Sequence, residues 1–368
     1  MRSFINHQIE RYYKKLLRPW LFEMSTEDPE IAHEWVMQKL LSLQRHPWRL
    51  YVLRRLLTVP DHRLGQHLFG LWFPNPVGLA EGFDKGIVAA RALATLGFGF
   101  IEGGSVTPFA QAGNPRPRIR RLPDEEGLLN RMGFNNPGAK KVRENLANLL
   151  PISVPLGISL GKGKDTPLGN AADDYCKVLR ELYEVGDYII VNISSPNTPG
   201  LRELQKQGYL PSLLTRVQAE AKGLASIQGL PHPKPVLVKV APGVTNQELT
   251  QIVYTCLDCD IAGIVLTNTE MVEVDGLTWG KSGPHLFSGM LDKIKLVRTI
   301  NSTWPIVAVG GINSSERAIE ALRAGANLVK VYTGLVYEGP TLPWQINSAI
   351  SKYMGRSRLC DMHTLRCS

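Results

Sequence analysis

The chain has 368 residues, 43% of them hydrophobic, which is enough for one barrel-sized domain with a small appendage and excludes a disordered or fibrous protein. Its formal net charge of +9 suits nucleic acid, an anionic membrane surface or an anionic substrate, and charge alone does not choose among them. The five cysteines (Cys176, Cys256, Cys259, Cys360 and Cys367) are an odd set with no second closely spaced pair, which argues against a disulfide framework or a zinc site and for a reducing compartment.

Up to about Val59 the sequence reads as short amphipathic helices. Ile5, Ile9, Tyr12, Leu16 and Trp20 recur at helical spacing among Arg2, Arg11, Lys14, Lys15 and Arg18, the mixture expected of a helix lying in a membrane interface. Val36, Leu40 and Leu43 repeat the pattern after the acidic start Glu27-Asp28-Pro29, and a third apolar-basic stretch runs from Trp48 to Leu57. Charges interrupt every apolar run well short of the ~20 residues a spanning helix needs. Membrane contact is therefore expected to be peripheral, and the lack of a transit peptide points to the cytoplasmic side of a bacterial inner or plasma membrane. No nucleic-acid signature is visible, and no metal site is expected.

Pro60-Asp61 marks a boundary, and from Pro76 short β-type runs alternate with helical segments. The expected strands are Val77–Ala80, Phe100–Ser105, Val154–Leu160, Tyr188–Ser194, Val236–Ala241, Gly263–Asn268, Ile306–Gly310 and Leu328–Thr333. Helices are expected after each, over Lys85–Leu96, Ala139–Leu149, Ala172–Glu184, Pro211–Ser226, Gln247–Leu257, Met290–Ile300, Ser315–Ala324 and Trp344–Tyr353. Cys256 and Cys259 sit on or beside one face of the fifth helix and are read as core packing. A doubly wound sheet could use the same alternation, but polar residues crowd the C-terminal strand ends, and a (β/α)8 TIM barrel gathers all of these at one mouth. The expected architecture is thus an α/β TIM barrel over 60–354, a small N-terminal helical domain over 1–59 and a tail over 355–368. Three βα connections, about Val106 to Pro137, Ser195 to Pro211 and Glu270 to Gly289, are long enough to be lids or substrate walls.

The strand ends carry the chemistry. Gly310-Gly311 and Tyr332-Thr333-Gly334 follow the last two strands, where barrels commonly hold a phosphate, although glycine pairs also make ordinary turns. Asn192-Ile193-Ser194-Ser195-Pro196-Asn197 puts several amides and hydroxyls at the end of a buried strand, where they need partners. Lys85 and Lys239 each follow or end an apolar run and are either solvated rim residues or fixed cations for an anionic ligand.

Taken together, Ala80-Glu81-Gly82-Phe83-Asp84-Lys85, Gly104-Ser105-Val106-Thr107-Pro108, Gly113 to Arg118, Asn130-Arg131-Met132-Gly133-Phe134-Asn135, Asn192 to Arg202, Thr267-Asn268-Thr269, Ser282-Gly283 and Gly310-Gly311 resemble the dihydroorotate dehydrogenase family in order and spacing, over roughly Asp28 to Pro340. Ser195 in place of a cysteine base, the extra N-terminal helices and Ala32-His33 resemble its class 2 members, which are membrane-associated and quinone-reducing. The resemblance implies oxidation of dihydroorotate to orotate in pyrimidine biosynthesis, with FMN as cofactor and a membrane quinone as acceptor. It assigns Ser195 as catalytic base, with Lys85, Asn130, Arg131, Met132, Gly133, Phe134, Asn192, Asn197, Asn268 and Thr269 around the substrate. It assigns Ala80, Glu81, Gly82, Lys85, Ser105, Ser159, Asn192, Lys239, Thr267, Gly283, Gly311, Tyr332 and Thr333 to the flavin, and His33 and Arg121 to quinone access.

Some positions depart from the family pattern. Glu81 stands in place of a small apolar residue, Ser159 of an asparagine, Arg120 of an aromatic, Gly163 of an asparagine and Lys281 of a leucine. A buried carboxylate at Glu81 has to pair, take up a proton or point away. Two other readings stay open at this point: a related FMN barrel that reduces another pyrimidine or passes electrons to fumarate or a nicotinamide, and a non-enzymatic barrel that serves as a membrane-associated binding or scaffold protein.

Overall fold

A strand buried on both faces reads as a near-continuous apolar run, and eight segments of the chain do so with few polar interruptions. The computed structural model describes residues 2–367. In it, β1 (Val77–Leu79), β2 (Phe100–Val106), β3 (Leu156–Leu160), β4 (Tyr188–Asn192), β5 (Val236–Val240), β6 (Gly263–Leu266), β7 (Ile306–Val309) and β8 (Leu328–Val331) close into one barrel in sequence order. Every neighbouring pair is parallel, including β8 with β1. The TIM barrel expected from the alternation is therefore the observed fold, with strand boundaries shifted by no more than two residues.

The period-two alternation of a strand fills the interior in layers. Phe100, Tyr188, Ile190, Leu237, Val265, Val307 and Leu328 form an apolar plug with Phe73. Phe73 belongs to a hairpin (Gln66–Leu68 with Leu71–Phe73) whose Leu68, Phe69 and Leu71 pack on this plug. Two residues further along three of these strands, the same inward face carries Glu102, Lys239 and Lys330. The barrel is thus greasy at its N-terminal end and charged below its mouth.

Outside the barrel, the helices bury one stripe each. Ala171–Leu182, Leu210–Ile227, Asn246–Asp258, Phe287–Ile300, Ser315–Arg323 and Leu342–Arg356 lie close to expectation. The first differs. Only Ala90–Leu93 is α-helical, continued by a 3-10 turn to Leu96, instead of a helix from Lys85. The Asp84 carboxylate takes the N–H groups of Val88 (2.9 Å) and Ala89 (2.7 Å), and Ile87 is left-handed at φ 48°, so the chain turns before it coils. Lys85 is thereby placed on a loop at the barrel mouth.

Four helices precede the barrel: α1 (Arg2–Tyr12), α2 (Arg18–Glu23), α3 (Glu30–Gln44) and α4 (Pro47–Leu57), with a π-helical turn joining the first two. Tyr12, Leu16, Trp20, Trp48, Tyr51 and Val52 are exposed beside exposed Arg11, Lys15, Arg49, Arg54 and Arg55. No described helix is long and apolar enough to cross a membrane. At the other end, Met362–Arg366 forms a short helix that buries Met362 and Leu365, and Arg366 reaches Gln66 at 3.0 Å.

The helical unit is fastened to the barrel by a buried bidentate pair, Arg118 Nε and Nη2 donating to Glu30 at 2.9 Å each, with Arg118 also holding the Ala112 and Asn114 carbonyls. Burial pushes the Glu30 carboxyl up, but the bonds and charge of Arg118 outweigh it and leave its pKa below the usual range. Its stabilisation is therefore present above the unfolded carboxylate pKa and is lost as pH falls through the lower folded value. Glu30→Ala should cost about 3 kcal/mol at neutral pH, because it strands the guanidinium. In urea unfolding, the gap between wild type and variant should shrink in acid; a constant gap would contradict this assignment.

Candidate functional site

The polar groups at the strand ends satisfy one another in a relay around the mouth. Asn192, ending β4, donates to Ser105 Oγ of β2 at 2.8 Å, and Ser105 shares a 2.7 Å bond with Ser159 Oγ of β3. Asn192 Oδ1 accepts from Ser194 Oγ (2.9 Å), which accepts from Asn268 Nδ2 after β6 (2.8 Å). Arg202 ties the same ends from behind, donating to the Ser194 carbonyl at 3.0 Å and the Thr269 carbonyl at 2.9 Å. These side chains are held by their neighbours before any ligand arrives.

Over the mouth lies a four-stranded antiparallel sheet, in the order Glu270–Val274, Leu277–Ser282, Gly127–Asn130, Ile119–Leu122. It is built from two of the long connections, so these are walls with their own secondary structure. Asn130 ends one of its strands, donates to the Gly280 carbonyl (3.1 Å) and accepts from Asn197 Nδ2 (2.8 Å). Asn197 Oδ1 is buried with no partner. Ser195 Oγ accepts the Asn197 N–H at 3.3 Å. The following loop is pinned by Asn136, which bonds Thr107, Gly138 and the Phe134 carbonyl, and Phe134 adopts a left-handed φ of 52° facing the cavity.

The charges are arranged in two groups. Lys85 opens onto the cavity, donates to the Gly82 carbonyl at 2.8 Å and has no carboxylate in contact among the described residues; burial pushes its pKa down to about 8. Glu81, by contrast, is bonded to Lys239 through Oε1 and to Lys330 through Oε2 at 3.0 Å. Lys330 also pairs with Glu102, which accepts from Tyr188 Oη at 3.0 Å. On the far side, Gly283, Gly310 and Gly311 have φ of 141°, 136° and 70°, and Ser282 Oγ meets Thr333 Oγ1 at 2.8 Å.

A second, apolar cavity runs between α2, α3 and the barrel, lined by Leu17, Phe22, Ala32, Val36, Leu40 and Leu43 among others. It shares Ile119, Leu128 and Tyr332 with the first. His33 and Arg121 are here. His33 lies edge-on to Phe83 (5.1 Å), and burial, aided by the Lys85 charge, pushes its pKa down to about 4, leaving it neutral. Arg121 stacks on Phe22 (4.3 Å) and donates to Ser25.

The family model for dihydroorotate dehydrogenase matches residues 63–354. The chain belongs to the dihydroorotate dehydrogenase family. It is 43% identical over 357 residues to the dihydroorotate dehydrogenase (quinone) of Chloroflexus aurantiacus, covering 94% of this chain and 98% of that one. Against the protein of the same name from Acidithiobacillus ferrooxidans it is 45% identical over 339 residues, covering 90% and 92%. A crystal structure of DHODH from Eimeria tenella in complex with ferulenol superposes with a TM-score of 0.82 at 30% identity, covering 95% of this chain and 97% of that one.

For a member of the dihydroorotate dehydrogenase family, the distribution of the expected residues is informative. Lys85, Asn130, Met132, Gly133, Phe134, Asn192, Ser195, Asn197, Asn268 and Thr269 line the first cavity together with Ala80, Glu81, Gly82, Ser105, Lys239, Thr267, Gly283, Gly311, Tyr332 and Thr333. Two do not line it: Arg131 lies over Trp279 at 5.7 Å, and Ser159 stands behind Ser105. Three departures from the family pattern are locally accounted for. Arg120 pairs with Asp275 and stacks on Trp279 (4.8 Å), Lys281 bridges to Glu125 at 2.6 Å, and at Gly163 a Cβ would crowd Thr166 and Asp174 at 3.0 and 3.1 Å. Lys330 and Glu102 were not among the expected residues, although a charged residue inside Leu-Val-Lys-Val or Phe-Ile-Glu-Gly is a visible oddity.

The cavity fits a flavin with a small acid beside it. The orphaned buried amide oxygen at Asn197 calls for a hydrogen-bond donor, while the Lys85 ammonium, with no carboxylate in contact among the described residues, and the glycine-lined far wall call for anionic groups. Because burial lowers the Lys85 pKa to about 8, affinity for a carboxylate probe such as orotate should fall as pH rises past that value. Lys85→Met should bind at least tenfold more weakly at pH 7 and lose the pH dependence. Calorimetric titration from pH 6 to 10 reads both, and an unchanged profile in the variant would remove Lys85 from the site.

Proposed function

We propose that this protein oxidises dihydroorotate to orotate using bound FMN and delivers the electrons to a membrane quinone, in pyrimidine biosynthesis. The carrying observation is the single cavity in which Ser195, Lys85 and four side chains able to read a pyrimidine ring (Asn130, Asn197, Asn268 and Thr269) converge. Asn130 and Asn197, fixed to each other, present amide groups to the ring, and Lys85 answers its carboxylate. Ser195 Oγ takes the proton leaving C5 and relays its own toward Thr198, which is buried close by in sequence; the Phe134 loop keeps bulk water out. Bound FMN supplies the acceptor for the hydride leaving C6. Lys239 and the backbone at Gly283, Gly311 and Thr333 would hold it, the ammonium beside the ring and the amides at the phosphate.

The second cavity favours a quinone over fumarate or a nicotinamide, because its lining is apolar and it meets the first at Ile119, Leu128 and Tyr332. The exposed aromatic and basic residues of α1, α2 and α4 suit peripheral attachment to an anionic leaflet, on the cytoplasmic side of the membrane.

Ser195→Ala is expected to slow anaerobic flavin reduction by dihydroorotate by 10²-fold or more, in the range of lost general base catalysis, while the flavin stays bound. Stopped-flow reduction at the wild-type rate would end the role of Ser195. Val36→Trp, which fills the second cavity, should lower turnover with a long-chain quinone at least tenfold and leave that first half-reaction within twofold. Equal loss of both would mean that the apolar cavity is ordinary packing space.

A further inference from the structure

Glu81, Lys239 and Lys330 line the floor of the first cavity, and Glu102 lies wholly buried beneath them. Both Glu81 oxygens are occupied, one by each lysine, so the positive charge of Lys239 is already answered before any ligand binds. Stability alone does not call for this arrangement. Well-packed apolar side chains of similar volume are commonly as stable as a buried ion pair, whose desolvation cost consumes most of its attraction. The apolar plug one layer below shows that this barrel can be filled that way. What the charged layer does provide is a fixed electrostatic field directly under the cavity.

We propose that Glu81 sets the reduction potential of the flavin: it positions Lys239 and Lys330 and cancels part of their charge, holding the couple at a lower potential than the two lysines alone would. This rests on the flavin reading above. Reduction by hydride adds one negative charge to the flavin, which the floor's net charge favours or opposes. Burial would raise the Glu81 carboxyl, but Lys239 and Lys330 hold it well below the usual range, so it stays ionised. Burial, aided by the neighbouring Glu81 charge, raises the Glu102 carboxyl despite Lys330. With two lysines against Glu81 and a Glu102 that is either protonated or ionised, the floor lies between neutral and one positive charge, and removal of the Glu81 charge makes it more positive, by less than one unit where Glu102 ionises in response.

The test uses the full-length, flavin-loaded protein, titrated anaerobically against a reference dye. Glu81→Gln keeps the side-chain volume and deletes the charge; Glu81→Ala deletes both, and either variant that folds is decisive. Each should raise the ratio of reduced to oxidised flavin at a fixed dye potential at least tenfold, ~30 mV for a two-electron couple. By the thermodynamic cycle, reduced FMN should then bind the apoprotein more tightly relative to oxidised FMN by the same factor. A purely structural role would lower the thermal midpoint without moving either ratio. Flavin-loaded variants whose reduced-to-oxidised ratio stays within twofold of wild type, or falls below it, overturn this role of Glu81 and leave the proposed function standing. A wild-type protein that neither carries flavin nor binds added FMN overturns both.

Discussion

A closed parallel barrel sends eight C-terminal strand ends to one rim, and each polar group placed there has to find a partner where bulk water is excluded. The rest of the molecule follows from that constraint. Asn192, Ser194, Asn268, Ser105 and Ser159 answer it by bonding across β2, β3, β4 and β6, which locks the rim before a ligand binds. Where the relay is left incomplete, at Asn197 Oδ1 and at the Lys85 ammonium, the gap has the shape and charge of what should fill it. The unsatisfied atoms in an otherwise satisfied rim are the informative ones.

The two cavities solve different problems with the same wall. The first lies within the barrel mouth and gathers the amides, hydroxyls and charges of the strand ends; the second is lined by apolar side chains between the helices and the barrel. Tyr332, Leu128 and Ile119 line both. The buried Arg118–Glu30 pair joins α3 to the loop that carries Asn114, tying the helical side to the wall of the polar side.

Much of this was legible in the sequence, and the parts that were not have identifiable causes. The eight strands announce themselves as short apolar runs because both of their faces are buried, and only their ends moved. Periodicity extends the first barrel helix back to Lys85, but the Asp84 carboxylate captures the amides of Val88 and Ala89, a local competition that periodicity does not register. The hairpin around Asp275-Gly276 carried a readable turn signal between alternating apolar residues. It is easily passed over in a segment taken as a loop. Glu81 raised the right question, namely what a buried carboxylate pairs with. The answer needed Lys239 and Lys330, which are distant in sequence and meet only because inward-facing positions on β5 and β8 share a layer. The motifs around Ser195 could be read in order, whereas the hidden position of Ser159 behind Ser105 required the three-dimensional rim.

The central claim is that one cavity performs the oxidation and the other receives the electrons. Anaerobic mixing of the purified protein with dihydroorotate, followed by a long-chain quinone, tests it directly through the flavin absorbance near the visible maximum. Bleaching is expected on the first addition, with orotate formed in equal amount, and recovery of colour on the second without oxygen. A flavin that stays oxidised with dihydroorotate, or that once bleached is returned by fumarate or a nicotinamide and not by the quinone, would contradict it.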